Sequence, residues 1–129
     1  MITVSVYKQS NYPASVTKIK KSLVDFFIKS GIVSDAEVSV ALVSEKKMGE
    51  ISRKYLKESE IHDVLSFTAE ETREKFIYPD SSIHLGEIVV CFPKVFEEVK
   101  KEGKLIDEKV IELVEHGARH LMGVHHEYT

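Results

Sequence analysis

The hydrophobic pattern switches period repeatedly, from two residues to about 3.6 and back, and this alternation restricts the fold more than any other feature. Ile2, Val4 and Val6 alternate with Thr3, Ser5 and Tyr7, as in a half-buried strand, and Asn11-Tyr12-Pro13 breaks the pattern. From Ser15, the residues Val16, Ile19, Leu23, Phe26 and Phe27 recur at three- and four-residue intervals up to Ser30-Gly31, which predicts an amphipathic helix ended by glycine. Val38, Val40 and Leu42 restore the strand period from Glu37 to Val43, and Ser44 opens a helical stretch reaching Tyr55. Two more strands are expected, Asp63 to Phe67 and Ile83 to Phe92, with the polar segment from Ala69 to Ser82 between them as an exposed loop bordering a cleft. Pro93 suits the first turn of a helix running to Glu102, Gly103 stops it, and a last helix starting near Asp107 carries Val110, Leu113, Val114 and Leu121. The order β-α-β-α-β-β-α-α predicts an α+β fold: a small mixed sheet of about four strands with helices packed on it.

With 129 residues, no internal repeat and no linker-like tract, the chain is expected to form a single domain over 1–129. A composition 43% hydrophobic and 30% charged is that of a globular protein rather than a disordered one. The formal net charge of -3 supplies no global positive field, so DNA is not an expected partner, although a local basic face remains possible. The single cysteine, Cys91, lies in an apolar run and reads as a core residue; it excludes an intramolecular disulfide and a cysteine-rich metal site. Without a basic and apolar leader or a run of roughly 20 apolar residues, a cytoplasmic protein with no membrane partner is expected.

The chemistry points to the C-terminus. His116 and His120 are four residues apart in a helix, so both rings leave one face and can reach a single ion. Gly123 permits a positive φ that turns the chain back, and His126 then supplies a third donor, with His125 as its rival. Three neutral imidazoles suit one zinc ion, and nickel or cobalt would also fit. The fourth position stays open to a water whose pKa falls to about 7, which makes hydrolysis available. The spacing His-x3-His-x2-Gly-x2-His also occurs in metzincin peptidases, but their general-base glutamate is here Gly117, which argues against proteolysis unless Glu87 or Glu127 replaces it.

The stretch from His116 to His126, His-Gly-Ala-Arg-His-Leu-Met-Gly-Val-His-His, resembles the HGxLHLxGYDH signature of the YbeY family, bacterial metal-dependent endoribonucleases of ribosomal RNA maturation. Upstream, His62-Asp63-Val64-Leu65-Ser66-Phe67 resembles the family's T-[DN]-V-L-S-F strand, and Leu85-Gly86-Glu87-Ile88-Val89-Val90 its L-G-[DE]-I-x-[IV] strand. The resemblance covers roughly residues 38 to 127. The signature's Leu, Tyr and Asp are Arg119, Val124 and His125 here, its strand Thr is His62, and a basic residue expected before that strand falls on Leu56.

The resemblance implies an α+β fold with the metal in a cleft beside the sheet, and a zinc-dependent endoribonuclease acting on single-stranded ribosomal RNA precursors at the 16S 3′ end and in ribosome quality control. His116, His120 and His126 would hold the metal and act through its water. Ser66, Arg53, Lys57 and Glu87 are the candidate substrate contacts, set within the basic stretch Lys46, Lys47, Arg53, Lys54 and Lys57 and the two signature strands. Partners would be ribosomal RNA and the ribosome or its small subunit; the oligomeric state is left open. An alternative is a ribosome-assembly factor with a structural metal, for which the changes at Leu56, Val124 and His125 speak. Attack by water and attack by an RNA 2′-OH both remain available; they would leave a simple monoester and a 2′,3′-cyclic phosphate respectively.

Overall fold

The computed structural model describes residues 1–69, 71 and 83–123. Within them lie β1 (Ile2–Lys8), α1 (Val16–Lys29), β2 (Ala36–Val43), α2 (Glu45–Ile51), a π-helical turn (Ser52–Leu56), β3 (Val64–Thr68), β4 (Ile83–Cys91), α3 (Phe92–Glu102) and α4 (Ile106–Leu121). The element order is the one the hydrophobic periods predict. Strand ends shift by one residue at β2, β3 and β4, the last ending at Cys91 with Phe92 already helical, and the second helix gives way at Ser52 to a π turn closed by Lys57 at φ 59°.

The sheet order is β1-β2-β4-β3, with β1, β2 and β4 parallel and β3 antiparallel to β4 on one edge. The crossovers that parallel strands require are α1 between β1 and β2, and α2 with the π turn and β3 between β2 and β4. Ser15 and Ser44 cap the first two helices by accepting from the amides of Lys18 and Lys47.

Strand alternation divides the apolar residues between two faces. On one, Val4, Val38, Val40, Ile88 and Val90 meet Ile19, Leu23 and Phe27 of α1 and Val110, Val114 and Ala118 of α4. On the other, Val43, Val89, Cys91 and Phe67 meet Met48 of α2, with Ile51 and Tyr55 packed beside them. Cys91 is a fully buried member of that second cluster, as its apolar setting predicts.

Gly86 fixes where β3 lies. It stands at a register shift of β4 against β2, has φ 140°, and a Cβ there would fall 2.1 Å from the Phe67 carbonyl oxygen. Only glycine lets the two backbones approach this closely. Lys109 is an unexpected core residue, 5% exposed, its ammonium held by Glu102 at 3.1 and 3.2 Å and by Glu112 at 3.1 Å.

Candidate metal centre

The last helix packs on the sheet through Val110, Val114, Ala118 and Leu121, and Gly117 permits its close approach to the edge strand. A Cβ at Gly117 would stand 2.9 Å from Cγ2 of Ile88 and 3.3 Å from Cβ of Ser66. With any side chain there, Ile88 or α4 must shift to relieve the contact. The neighbours of Gly117 on the same side of the helix, His116 and His120, therefore come down beside β3, where with Val64, Leu65 and Ser66 they line a cleft of about 170 Å³. His116 is exposed and His120 half-buried at the mouth of this cleft. Ser66 faces α4, whereas Phe67, the next residue, is buried on the opposite face.

His120 has a carboxylate partner that the sequence does not announce. Its Nε2 lies 3.1 Å from Oε1 of Glu71, just beyond β3. The Thr68 amide donates to the same oxygen at 2.9 Å, and the Glu71 amide donates back to the Thr68 hydroxyl at 3.2 Å. Partial burial disfavours the charged form of Glu71, but the Thr68 amide and His120 outweigh it and hold the carboxyl below its usual value. A carboxylate so placed fixes the orientation of an imidazole.

Gly123 has φ 82°, and its amide donates to the His120 carbonyl at 3.0 Å, so the helix ends at this glycine. His126, its rival His125, Val124 and Glu127 lie outside the described residues. Two of the three expected donors are thus brought together on α4. The described donors fit a late first-row divalent ion: two imidazoles one helical turn apart, over an open cleft.

The expected substrate contacts are split. Ser66 belongs to the histidine cleft. Glu87 is opposite Phe67 in the β3–β4 ladder and lines a separate cleft of about 330 Å³ on the α2 face, with Lys47, Lys54, Tyr55 and Phe67. Its parity along β4, shared with Val89, puts it there. Arg53 and Lys57 are exposed on and just after the π turn, and Leu56, where the resemblance expects a basic residue, is an exposed apolar side chain. Arg119, at a signature leucine, lays its guanidinium 5.8 Å from the Phe26 ring of α1, a cation–π contact at an exposed position.

A second group with ligand geometry lies in the segment leading into β3: one ligand atom each from Glu58, Glu60 and His62, all within 4.8 Å of one another. His62 pairs with Glu58 through Nε2 and lies 3.5 Å from Glu60 through Nδ1. Its signal in sequence is an acid, acid, histidine spacing of two.

The family model "Endoribonuclease YbeY" matches residues 4–129 of the chain. Among curated relatives, the endoribonuclease YbeY of Macrococcus caseolyticus is 30% identical over 109 residues, covering 84% of this chain and 71% of the relative. That of Thermodesulfovibrio yellowstonii is 33% identical over 92 residues, covering 71% of this chain and 55% of the relative. The chain thus spans between about half and three quarters of such relatives' length. A Thermotoga maritima protein of known solution structure shares the fold, with a TM-score of 0.59 at 24% identity over 98% of this chain and 76% of that one.

Proposed function

The chain belongs to the YbeY endoribonuclease family, and on that premise we propose that it is a zinc-dependent endoribonuclease cutting single-stranded ribosomal RNA precursors. The observation that carries this reading is the placement of His116 and His120 over a cleft walled by β3, with Ser66 on that wall. His116, His120 and His126 would hold the ion. When bound, it would polarise a phosphoryl oxygen and supply a nucleophile at neutral pH.

The chain's own residues divide the remaining work. Ser66 Oγ donates a hydrogen bond to a phosphate oxygen of the bound strand. Glu71 holds the His120 ring in one orientation. The exposed Arg53, Lys54 and Lys57 bind neighbouring phosphates, a contribution that weakens as salt rises. Gly117 occupies the sequence position of the peptidase glutamate and is closed against Ile88, so a carboxylate cannot be accommodated there and peptide hydrolysis is not supported.

Maturation of the 16S 3′ end and ribosome quality control are the processes this activity would serve, with the ribosome or its small subunit as partner in the cytoplasm. No helix among the described residues is long and apolar enough to cross a membrane. The exposed Leu56 at an expected basic position favours a second reading, a ribosome-assembly factor whose metal is structural.

The test is metal analysis of the purified protein together with cleavage of a single-stranded 16S precursor by wild type and His120→Ala. Bound zinc with cleavage lost in the variant supports the nuclease. Bound zinc without cleavage in the wild type favours the assembly factor, and a wild type without bound metal overturns both. A cyclic phosphate or a simple monoester at the new end identifies the attacking oxygen.

A further inference from the structure

The cleft on the α2 face lies behind the same edge strand that lines the histidine cleft. Phe67 and Val89 form its floor, Ile51 and Tyr55 one wall, and Lys47, Lys54, Glu50 and Glu87 its rim. The Tyr55 and Phe67 rings are 5.0 Å apart, and the Lys54 ammonium lies 5.1 Å from the Tyr55 ring centre. At about 330 Å³ it is at the small end of ligand pockets, which begin near 300 Å³, and suits one planar heterocycle. Ser66 and Phe67 are consecutive residues of β3, so a single strand passing over that edge can touch both clefts.

We propose that this cleft receives one unstacked guanine base of the bound RNA, stacked on Tyr55 and read by the Glu87 carboxylate. The proposal rests on RNA being the substrate. Proteins read single strands by splaying bases onto aromatic rings and hydrogen-bonding their edges. Guanine presents two adjacent donors on its Watson–Crick edge, N1–H and the exocyclic amine, which a carboxylate accepts as a pair. Adenine and cytosine present a ring acceptor beside their amine, and uracil only one donor. Among the described residues Glu87 makes no ion pair, whereas Glu50 lies 3.8 Å from the Lys47 ammonium. Charged acceptors strengthen such bonds. Lys47 and Lys54 on the rim would take the flanking phosphates.

Titration of the zinc-loaded protein with GMP, AMP, CMP and UMP, followed by amide and aromatic NMR shifts, tests this without requiring cleavage. GMP is expected to perturb Tyr55, Phe67 and Glu87 and to bind about 10-fold more tightly than AMP. Glu87→Gln, at an exposed position that leaves the core intact, is expected to erase that preference while the salt dependence persists. GMP binding at Tyr55 in a protein that cuts no RNA supports the base site and removes the nuclease reading. RNA cleavage with no GMP response at Tyr55, or equal responses to GMP and AMP that Glu87→Gln leaves unchanged, overturns the guanine site alone.

Discussion

His116 and His120 stand on a 16-residue helix whose position is set by close contact with the sheet, whereas Glu58, Glu60 and His62 belong to the short segment between the π turn and β3. The helix pair faces a cleft of about 170 Å³; the side chains of Glu58, Glu60 and His62 are 44%, 71% and 27% exposed. In the loop group His62 Nε2 pairs with Glu58 and Nδ1 lies 3.5 Å from Glu60, so an ion there would have to displace these contacts. On the helix, Glu71 pairs with His120 and is set as an orienting partner. Ligand atoms that lie close together are common on a surface. A metal centre also needs a fixed backbone, an open side for substrate and a partner that holds the rings.

Removing either helix histidine should separate the two groups most sharply. His120→Ala is expected to lower RNA cleavage by about 1,000-fold, the several kcal/mol a lost Lewis acid represents, in a single-turnover assay. Full activity would move the centre elsewhere. Glu71→Gln keeps the shape and removes the charge beside His120; zinc affinity measured by competition with a chelator should fall about 10- to 100-fold. Gly117→Ala tests the seat of the helix. The Cβ clash with Ile88 outweighs the helix propensity gained, so denaturant titration should find a net loss of about 1 to 2 kcal/mol.

Asp63, between His62 and Val64, is the joint of the two regions, and it faces Glu98 of α3. Burial and Asp63 together raise the Glu98 carboxyl to about 7, against the pull of Lys109 at 3.8 Å. An acid whose pKa is higher in the folded than in the unfolded chain stabilises the fold at low pH. That contribution is lost as pH rises from about 4.5 toward 7. Unfolding midpoints at pH 5.5 and pH 8 should therefore differ more in wild type than in Glu98→Gln, whose amide donor toward Asp63 does not titrate. Smallest of all, His62→Ala should change stability by less than about 1 kcal/mol, as for other exposed pairs, and leave cleavage intact.

The fold was largely legible because the two hydrophobic periods name their elements, and Gly31, Gly103 and Gly123 take the positive φ values that end them. Sheet order and pairing were not, since a period identifies a strand without its neighbour. The site was legible where it is local: His116 and His120 share a helix, and four-residue spacing fixes their common face. Glu71 carries no such signal, because 49 residues separate it from His120. Glu87 seemed a candidate for the histidine cleft because nothing in the chain says which parity of β4 faces α4; packing decides that, and sends Glu87 to the α2 side. Lys109 inside α4 reads as a surface lysine until Glu102 and Glu112 close over it.

Zinc stoichiometry by mass spectrometry in three proteins tests the central claim most directly: wild type, His116→Ala/His120→Ala, and Glu58→Gln/Glu60→Gln/His62→Ala. The account predicts one zinc per chain in the wild type and the loop variant and none in the helix variant. Zinc kept in the helix variant and lost in the loop variant would contradict it.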